Sequence, residues 1–219
     1  MIVLVGGEKG GTGKTTLATN LTALRVRAGH DVLLVDTDRQ GSASAWASLR
    51  AESPDLPDVP CVQLFGKAVA GQLRDLADRY DDVVVDAGGR DSVELRGAMV
   101  VAHRLFVPVQ ASQFDVWTLE RMDELVGQAS ALNPGLEAFV VLNRASPNPR
   151  VREAEDAEGL LADFERLSNS GVLVRDRISF RRAASNGRAV SEAESPDEKA
   201  VTEVEAWYRA VFGEAPPAP

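Results

Sequence analysis

The sequence predicts an α/β fold, a mostly parallel sheet covered by helices on both faces. Three observations carry this. Short, wholly apolar runs such as Val83-Val84-Val85 recur along the chain, as strands buried on both faces require; half-solvated strands would alternate. These runs alternate with segments whose apolar residues return at helical spacing. A glycine-rich loop separates the first apolar run from the first helical segment, so the chain opens with a strand–loop–helix–strand unit whose crossover is right-handed in a parallel sheet.

Met1 to Val5 reads as the first strand. A helix follows from about Lys14 to Ala28, with Leu17, Leu21, Leu24 and Ala28 on one face and Gly29 and His30 closing it. Val32 to Val35 is the second strand, ending at Asp36. Ser42 to Ala51 is a short helix, and Pro54, Pro57 and Pro60 predict a loop. Lys67 to Tyr80 is helical through Val69, Leu73, Leu76 and Ala77. The strand Val83 to Val85 ends at Asp86 and runs into Gly88 and Gly89. Then come a helix from about Ser92 to Ala102, a strand from Leu105 to Val107, a helix from Asp115 to Leu132 and a strand from Ala138 to Leu142. Val151 to Arg166 reads as an acidic helix, Gly171 to Val174 as the last strand and Pro196 to Phe212 as the last helix. Without a long linker, repeat or break in composition, residues 1–212 read as one domain and 213–219 as a frayed proline-rich tail.

With 219 residues, 44% of them hydrophobic, the chain can bury a substantial core. A single cysteine, Cys61, excludes an internal disulfide framework and fits a structural role in a reducing compartment. No secretory signal is visible, and no run approaches about 18 uninterrupted apolar residues, so a cytoplasmic protein is expected. A net charge of -9 argues against a constitutive nucleic-acid binder, though not against a local basic face. His30 and His103 do not suggest a metal pair, and no Cys–His or serine triad is present.

The chemistry is concentrated in Gly7-Glu8-Lys9-Gly10-Gly11-Thr12-Gly13-Lys14-Thr15-Thr16. Glycines let successive backbone N–H groups curve around phosphates without obstruction, and the following helix adds partial positive charge at its N-terminus. Gly10 to Gly13 and Thr16 belong to this cradle, Lys14 reaches the β- and γ-phosphates, and the Thr15 hydroxyl is placed for Mg²⁺. The ordinary pattern has glycine where Glu8 stands, and Lys9 is a second lysine ahead of the paired glycines. Asp36, Asp38 and Asp86 follow strand ends, the edge at which ligands bind in open parallel sheets. Asp86 and Asp36 are the candidates for the Mg²⁺ shell, and Asp38, further out on its loop, for orienting the attacking water.

The motifs Lys9-Gly10-Gly11-Thr12-Gly13-Lys14-Thr15-Thr16, Asp36-Thr37-Asp38-Arg39-Gln40-Gly41 and Val83-Val84-Val85-Asp86 resemble the phosphate loop, switch I and Walker B strand of the ParA/MinD group of deviant Walker P-loop ATPases. The likeness runs on through Pro108-Val109-Gln110 and Asn143-Arg144 to the stretch from Phe180 to Glu192, and is strongest to small plasmid partition ParA proteins. It implies slow Mg²⁺-dependent ATP hydrolysis and an ATP-dependent sandwich homodimer in which Lys9 crosses to the partner's phosphates. It implies that Asn143 reads the adenine edge, with Pro108 to Ser112 lining the base. It also implies the function of a switch for plasmid or chromosome DNA partition, nucleoid-associated through nonspecific DNA and stimulated by a ParB-like centromere-binding activator. The alternative under the same resemblance is an ATPase that positions a protein cargo or cell-pole or secretion machinery. A metabolic kinase is disfavoured, since no acceptor site is recognisable.

This chain departs from the group at Arg39, where many relatives have proline, and at Ala87-Gly88-Gly89-Arg90, where threonine-proline-proline is frequent. Its short N-terminus leads to the expectation that no operator-binding domain precedes the phosphate loop, which disfavours autorepression by this chain alone. Between Arg175 and Val190 stand Arg175, Arg177, Arg181, Arg182 and Arg188, opposed in that stretch only by Asp176, and they are the candidate DNA contacts. The acidic run from Glu153 to Glu165 is expected to face away from DNA or to bind a basic partner. The last helix is apolar on one face but poor in basic residues, so it is expected to pack on the domain rather than on a membrane.

Overall fold

A computed structural model describes residues 1–110, 116–148, 159 and 161–217. The described elements are β1 (Ile2–Val5), α1 (Lys14–Arg27), β2 (Val32–Asp36), α2 (Ser42–Ala51), β3 (Cys61–Gln63), α3 (Val69–Ala77), β4 (Asp82–Asp86), α4 (Val93–Met99), β5 (Arg104–Gln110), α5 (Val116–Ser130), β6 (Glu137–Ala145), β7 (Ser168–Arg175), α6 (Ile178–Ala184), a 3-10 turn (Val190–Glu192) and α7 (Glu198–Phe212). The strands form one seven-stranded sheet in the order β3-β2-β4-β1-β5-β6-β7, with every pairing parallel. The α/β architecture is therefore that of a P-loop NTPase.

The apolar strands face two cores. In β1, Ile2 and Leu4 join α3, α4 and α5, while Val3 and Val5 face α1 and α7. Successive strand residues point to opposite faces, so burial of both faces demands the unbroken apolar run. α7 packs on the sheet as expected. Trp207 and Tyr208 are fully buried, the Trp207 indole lies edge-on to Phe106 at 4.6 Å, and its N–H donates to the Leu17 carbonyl at 3.2 Å. The start of the tail is tied down too, because Arg25 reaches Glu214 at 2.6 Å. The end of that tail, residues 218–219, lies outside the described residues. No described helix is long and apolar enough to cross a membrane.

Two elements depart from the sequence reading. β3 follows directly on the proline loop, where no strand was expected. Only three residues long and half solvated at the sheet edge, it lacks the apolar run that marks its neighbours. α6 occupies the arginine-rich stretch after β7. It buries Phe180 and Ala183, and the stretch behind it is anchored by the buried pair Arg50–Glu192, whose guanidinium bonds both carboxylate oxygens at 2.7 and 2.8 Å. The helix from Lys67 to Tyr80 shortens to α3. The acidic helix from Val151 to Arg166 falls mostly outside the described residues.

Strand register assembles the site. Val5 lies level with Asp86 on β4, and Asp86 lies level with Asp36 on β2. The loop after β1 thus begins beside both acids. The chain leaves β1 for β2 and β3 on one side, returns to β4, and crosses to β5 on the other side of β1. The carboxyl edge at such a reversal forms a crevice.

Candidate functional site

The crevice is a cleft of about 840 Å³, lined by Gly10, Gly13, Lys14, Thr15, Asp38 and Gly89 among others. Its floor is the loop from Gly7 to Thr16. Gly13 has φ 88° and caps α1, and a Cβ there would sit 2.3 Å from the Asn143 amide nitrogen, so only glycine fits. Lys14 is 7% exposed, and its ammonium donates to the Lys9 carbonyl at 2.8 Å. Burial pulls that ammonium below its usual range, and the charges of Asp86 and Asp38 pull it back. Lys9 stands apart. It does not line this cleft but a small hollow of about 20 Å³ with Thr12 and Pro108.

Asp86 is the most perturbed acid. It is buried, and burial pushes its carboxyl up to about 7; the Thr15 hydroxyl, donating at 2.6 Å, opposes this, while Asp36 adds to it. Its Oδ1 is a buried oxygen with no hydrogen-bond partner. An orphaned carboxylate oxygen beside a threonine hydroxyl fits a hard divalent cation. Among the described residues no three His, Cys, Asp or Glu side chains gather to cage a metal. Mg²⁺ keeps waters and takes phosphate oxygens, so a carboxylate and a hydroxyl can suffice to hold it. Asp36 is fully buried, but its two oxygens accept the backbone N–H groups of Asp38 at 3.0 Å and Ser44 at 2.9 Å. It therefore shapes the loop that carries Asp38. Asp38 lines the cleft, and its Oδ1 accepts the Gln40 N–H at 3.0 Å.

The glycine pair after Asp86 has a steric cause. A Cβ on Gly89 would lie 2.8 Å from the Gly10 Cα and 2.9 Å from its nitrogen, so this segment touches the phosphate loop backbone to backbone. Overpacking of this kind costs about 1–3 kcal/mol. Gly89→Ala is expected to push the segment outward and slow ATP turnover at least about tenfold. Steady-state phosphate release measures it, and an unchanged rate would show that the close approach is dispensable.

Asn143 is 3% exposed and its amide nitrogen donates to the Thr12 carbonyl at 2.7 Å. That donor is engaged by the phosphate loop itself. Pro108 lines the small hollow rather than the main cleft, and Ser112 lies outside the described residues. Two contributors escaped the sequence reading. Arg144 lines the cleft and donates to the Gly11 carbonyl at 2.6 Å. Arg121 on α5 holds Glu8 at 2.7 Å and approaches Asp91 at 3.5 Å, which explains the acid where glycine is usual. Neither contact leaves a local pattern. Only the adjacency of Arg144 to Asn143 could have drawn attention to it.

The arginine cluster is smaller than its sequence suggests. Arg175 and Arg177 both bond Glu203 of α7, at 3.1 and 2.7 Å, and Arg188 bonds Asp55 at 2.7 Å. Asp176 is thus not the only opposing charge; the others come from distant parts of the chain. Arg181 and Arg182 remain exposed on α6, without an ion pair among the described residues. Cys61 is half-buried, and burial pushes its thiol up to about 11, which keeps it unreactive.

A glycine loop between β1 and α1, a cleft lysine and a buried aspartate bonded to the loop threonine define a P-loop NTPase. Residues 3–190 match the CobQ/CobB/MinD/ParA nucleotide binding domain, and the chain belongs to that family. It is 33% identical over 216 residues to the maintenance of carboxysome distribution protein A of Gloeobacter kilaueensis, covering 97% of this chain and 93% of that protein. It is 29% identical over 245 residues to the chromosome-partitioning ATPase Soj of Thermus thermophilus, covering 99% and 89%. In fold it resembles a variant of McdA from Cyanothece in complex with ATP, with TM-score 0.73, 15% sequence identity, and 96% and 95% of the two chains covered. Similarity thus extends across carboxysome and chromosome systems and does not single out plasmid partition.

Proposed function

We propose that this chain is an ATP-hydrolysing positioning switch that distributes a protein assembly, using ATP-dependent dimerisation as its timer. The observation that carries the reading is the convergence of Lys14, Thr15 and Asp38 on one cleft, with the buried Asp86 bonded to Thr15 beneath it and Lys9 lining a separate hollow. Lys14 would neutralise the chain's own nucleotide, and Thr15 with Asp86 would hold Mg²⁺. The metal, when bound, draws charge from the β- and γ-phosphates. Asp38 would orient the attacking water from the loop that Asp36 braces. Lys9 lines the neighbouring hollow rather than the cleft and would reach the phosphates of a second copy, which makes dimerisation depend on a triphosphate. The carboxysome relative supports a protein cargo.

A second reading, DNA partition with a ParB-like activator, is favoured by the Soj relative and by exposed Arg181 and Arg182. Oligomeric state and DNA affinity should be measured with no nucleotide, ADP and ATP. The switch predicts a dimer with ATP alone; a monomer in all three states sinks it. If nonspecific DNA is the track, Arg181→Ala with Arg182→Ala should weaken the ATP form and flatten its salt dependence by about two contacts. Unchanged affinity would remove DNA from the reading and leave the cargo role.

A further inference from the structure

Arg144 is the non-glycine residue with positive φ among those described, at 53°. An arginine in the left-handed region is strained, and such strain persists where the surroundings over-determine it. The strain has a visible consequence. Consecutive residues of a strand normally point to opposite faces, yet Asn143 and Arg144, near the end of β6, both turn to the phosphate loop. They grip consecutive carbonyls. The Asn143 amide donates to the Thr12 oxygen at 2.7 Å and the Arg144 guanidinium to the Gly11 oxygen at 2.6 Å. In a trans peptide the C=O of one residue and the N–H of the next point in opposite directions, and no cis bond is present among the described residues. Pulling the oxygens of Gly11 and Thr12 toward β6 therefore turns the N–H groups of Thr12 and Gly13 the other way.

We propose that Arg144 is a positioning residue of the nucleotide site, held in a strained backbone so that it and Asn143 orient the loop's N–H donors toward phosphate. This rests on the nucleotide reading given above. The guanidinium is 37% exposed, lines the cleft, and lies 3.8 Å from Asp176 at the foot of α6, so it is not a buried structural plug. Orientation of donors before the ligand arrives spares reorganisation on binding.

Arg144→Gly separates this role from a structural one. Glycine adopts positive φ freely. The variant should melt at the same temperature as the wild type or higher, while its affinity for Mg·ADP, measured by calorimetry, falls about tenfold. Wild-type affinity in the variant would overturn the proposal, as would a melting temperature that falls along with affinity, since the contact would then serve only the fold. Wild-type protein that binds neither Mg·ADP nor Mg·ATP would instead remove the nucleotide reading itself.

Discussion

Lys14→Ala is expected to lower the affinity for Mg·ATP by about a thousandfold while leaving the fold intact. The ammonium is 7% exposed and is the positive charge that the buried Asp86 and the nearby Asp38 both feel. Without it, two acids face an incoming triphosphate in a desolvated cleft. Removing one partner from a buried charge cluster costs about 3–5 kcal/mol, and about 4 kcal/mol is three powers of ten in affinity. Titration calorimetry measures the loss. Retained affinity would mean that the nucleotide binds elsewhere and would dismantle the site.

The second large effect concerns Asp86 and has a definite pH window. Its folded-state value near 7 lies above the ordinary 3.8. Between those values the native protein holds a proton that the unfolded chain has released. The contribution of Asp86 to ligand-free stability is therefore greatest below about pH 4, falls as pH rises through the window, and levels off above about 7. The full shift corresponds to about 4 kcal/mol as an upper bound. Asp86→Asn removes the charge and keeps the shape. Its new amide hydrogens meet the place where Oδ1 already lacks a partner, which returns about 1–3 kcal/mol of the gain. The ligand-free variant is thus expected to exceed the wild type by about 2 kcal/mol at pH 8, with the difference passing through zero at about pH 5 and reversing sign by about pH 4. Denaturant titrations at the two pH values test this, and a pH-independent difference refutes the assignment. The same variant should lose stabilisation by Mg²⁺ with nucleotide. In the wild type that stabilisation should strengthen as pH rises through about 7, because the cation needs the ionised carboxylate.

These two expectations bracket a trade between fold and function. An acid that weakens the ligand-free protein, and an arginine held at φ 53°, both sit where a phosphate-bound metal or the loop that cradles it would need them. By contrast the pair Arg50–Glu192, equally buried, is satisfied by bidentate geometry and carries no orphaned atom.

Features encoded in consecutive residues were legible before any coordinates. The loop from Gly7 to Thr16, the apolar strands, the acids that end β2 and β4, and the helices α1, α2 and α7 all follow from local spacing, because a strand buried on two faces and a helix buried on one impose periods on neighbouring positions. Contacts between residues far apart in the chain impose no such period. That is why the pairing of Arg175 and Arg177 with Glu203, the seat of Glu8 on Arg121, and the grip of Asn143 and Arg144 on Thr12 and Gly11 emerged only when β6, α5 and α7 were packed against the sheet. Chain-local chemistry established that this is an α/β protein with a phosphate-binding loop. Three-dimensional packing established which charges are spent within the fold and which still face the cleft or the solvent, since a charge is neutralised by whatever lies within a few ångströms in space, however distant in sequence.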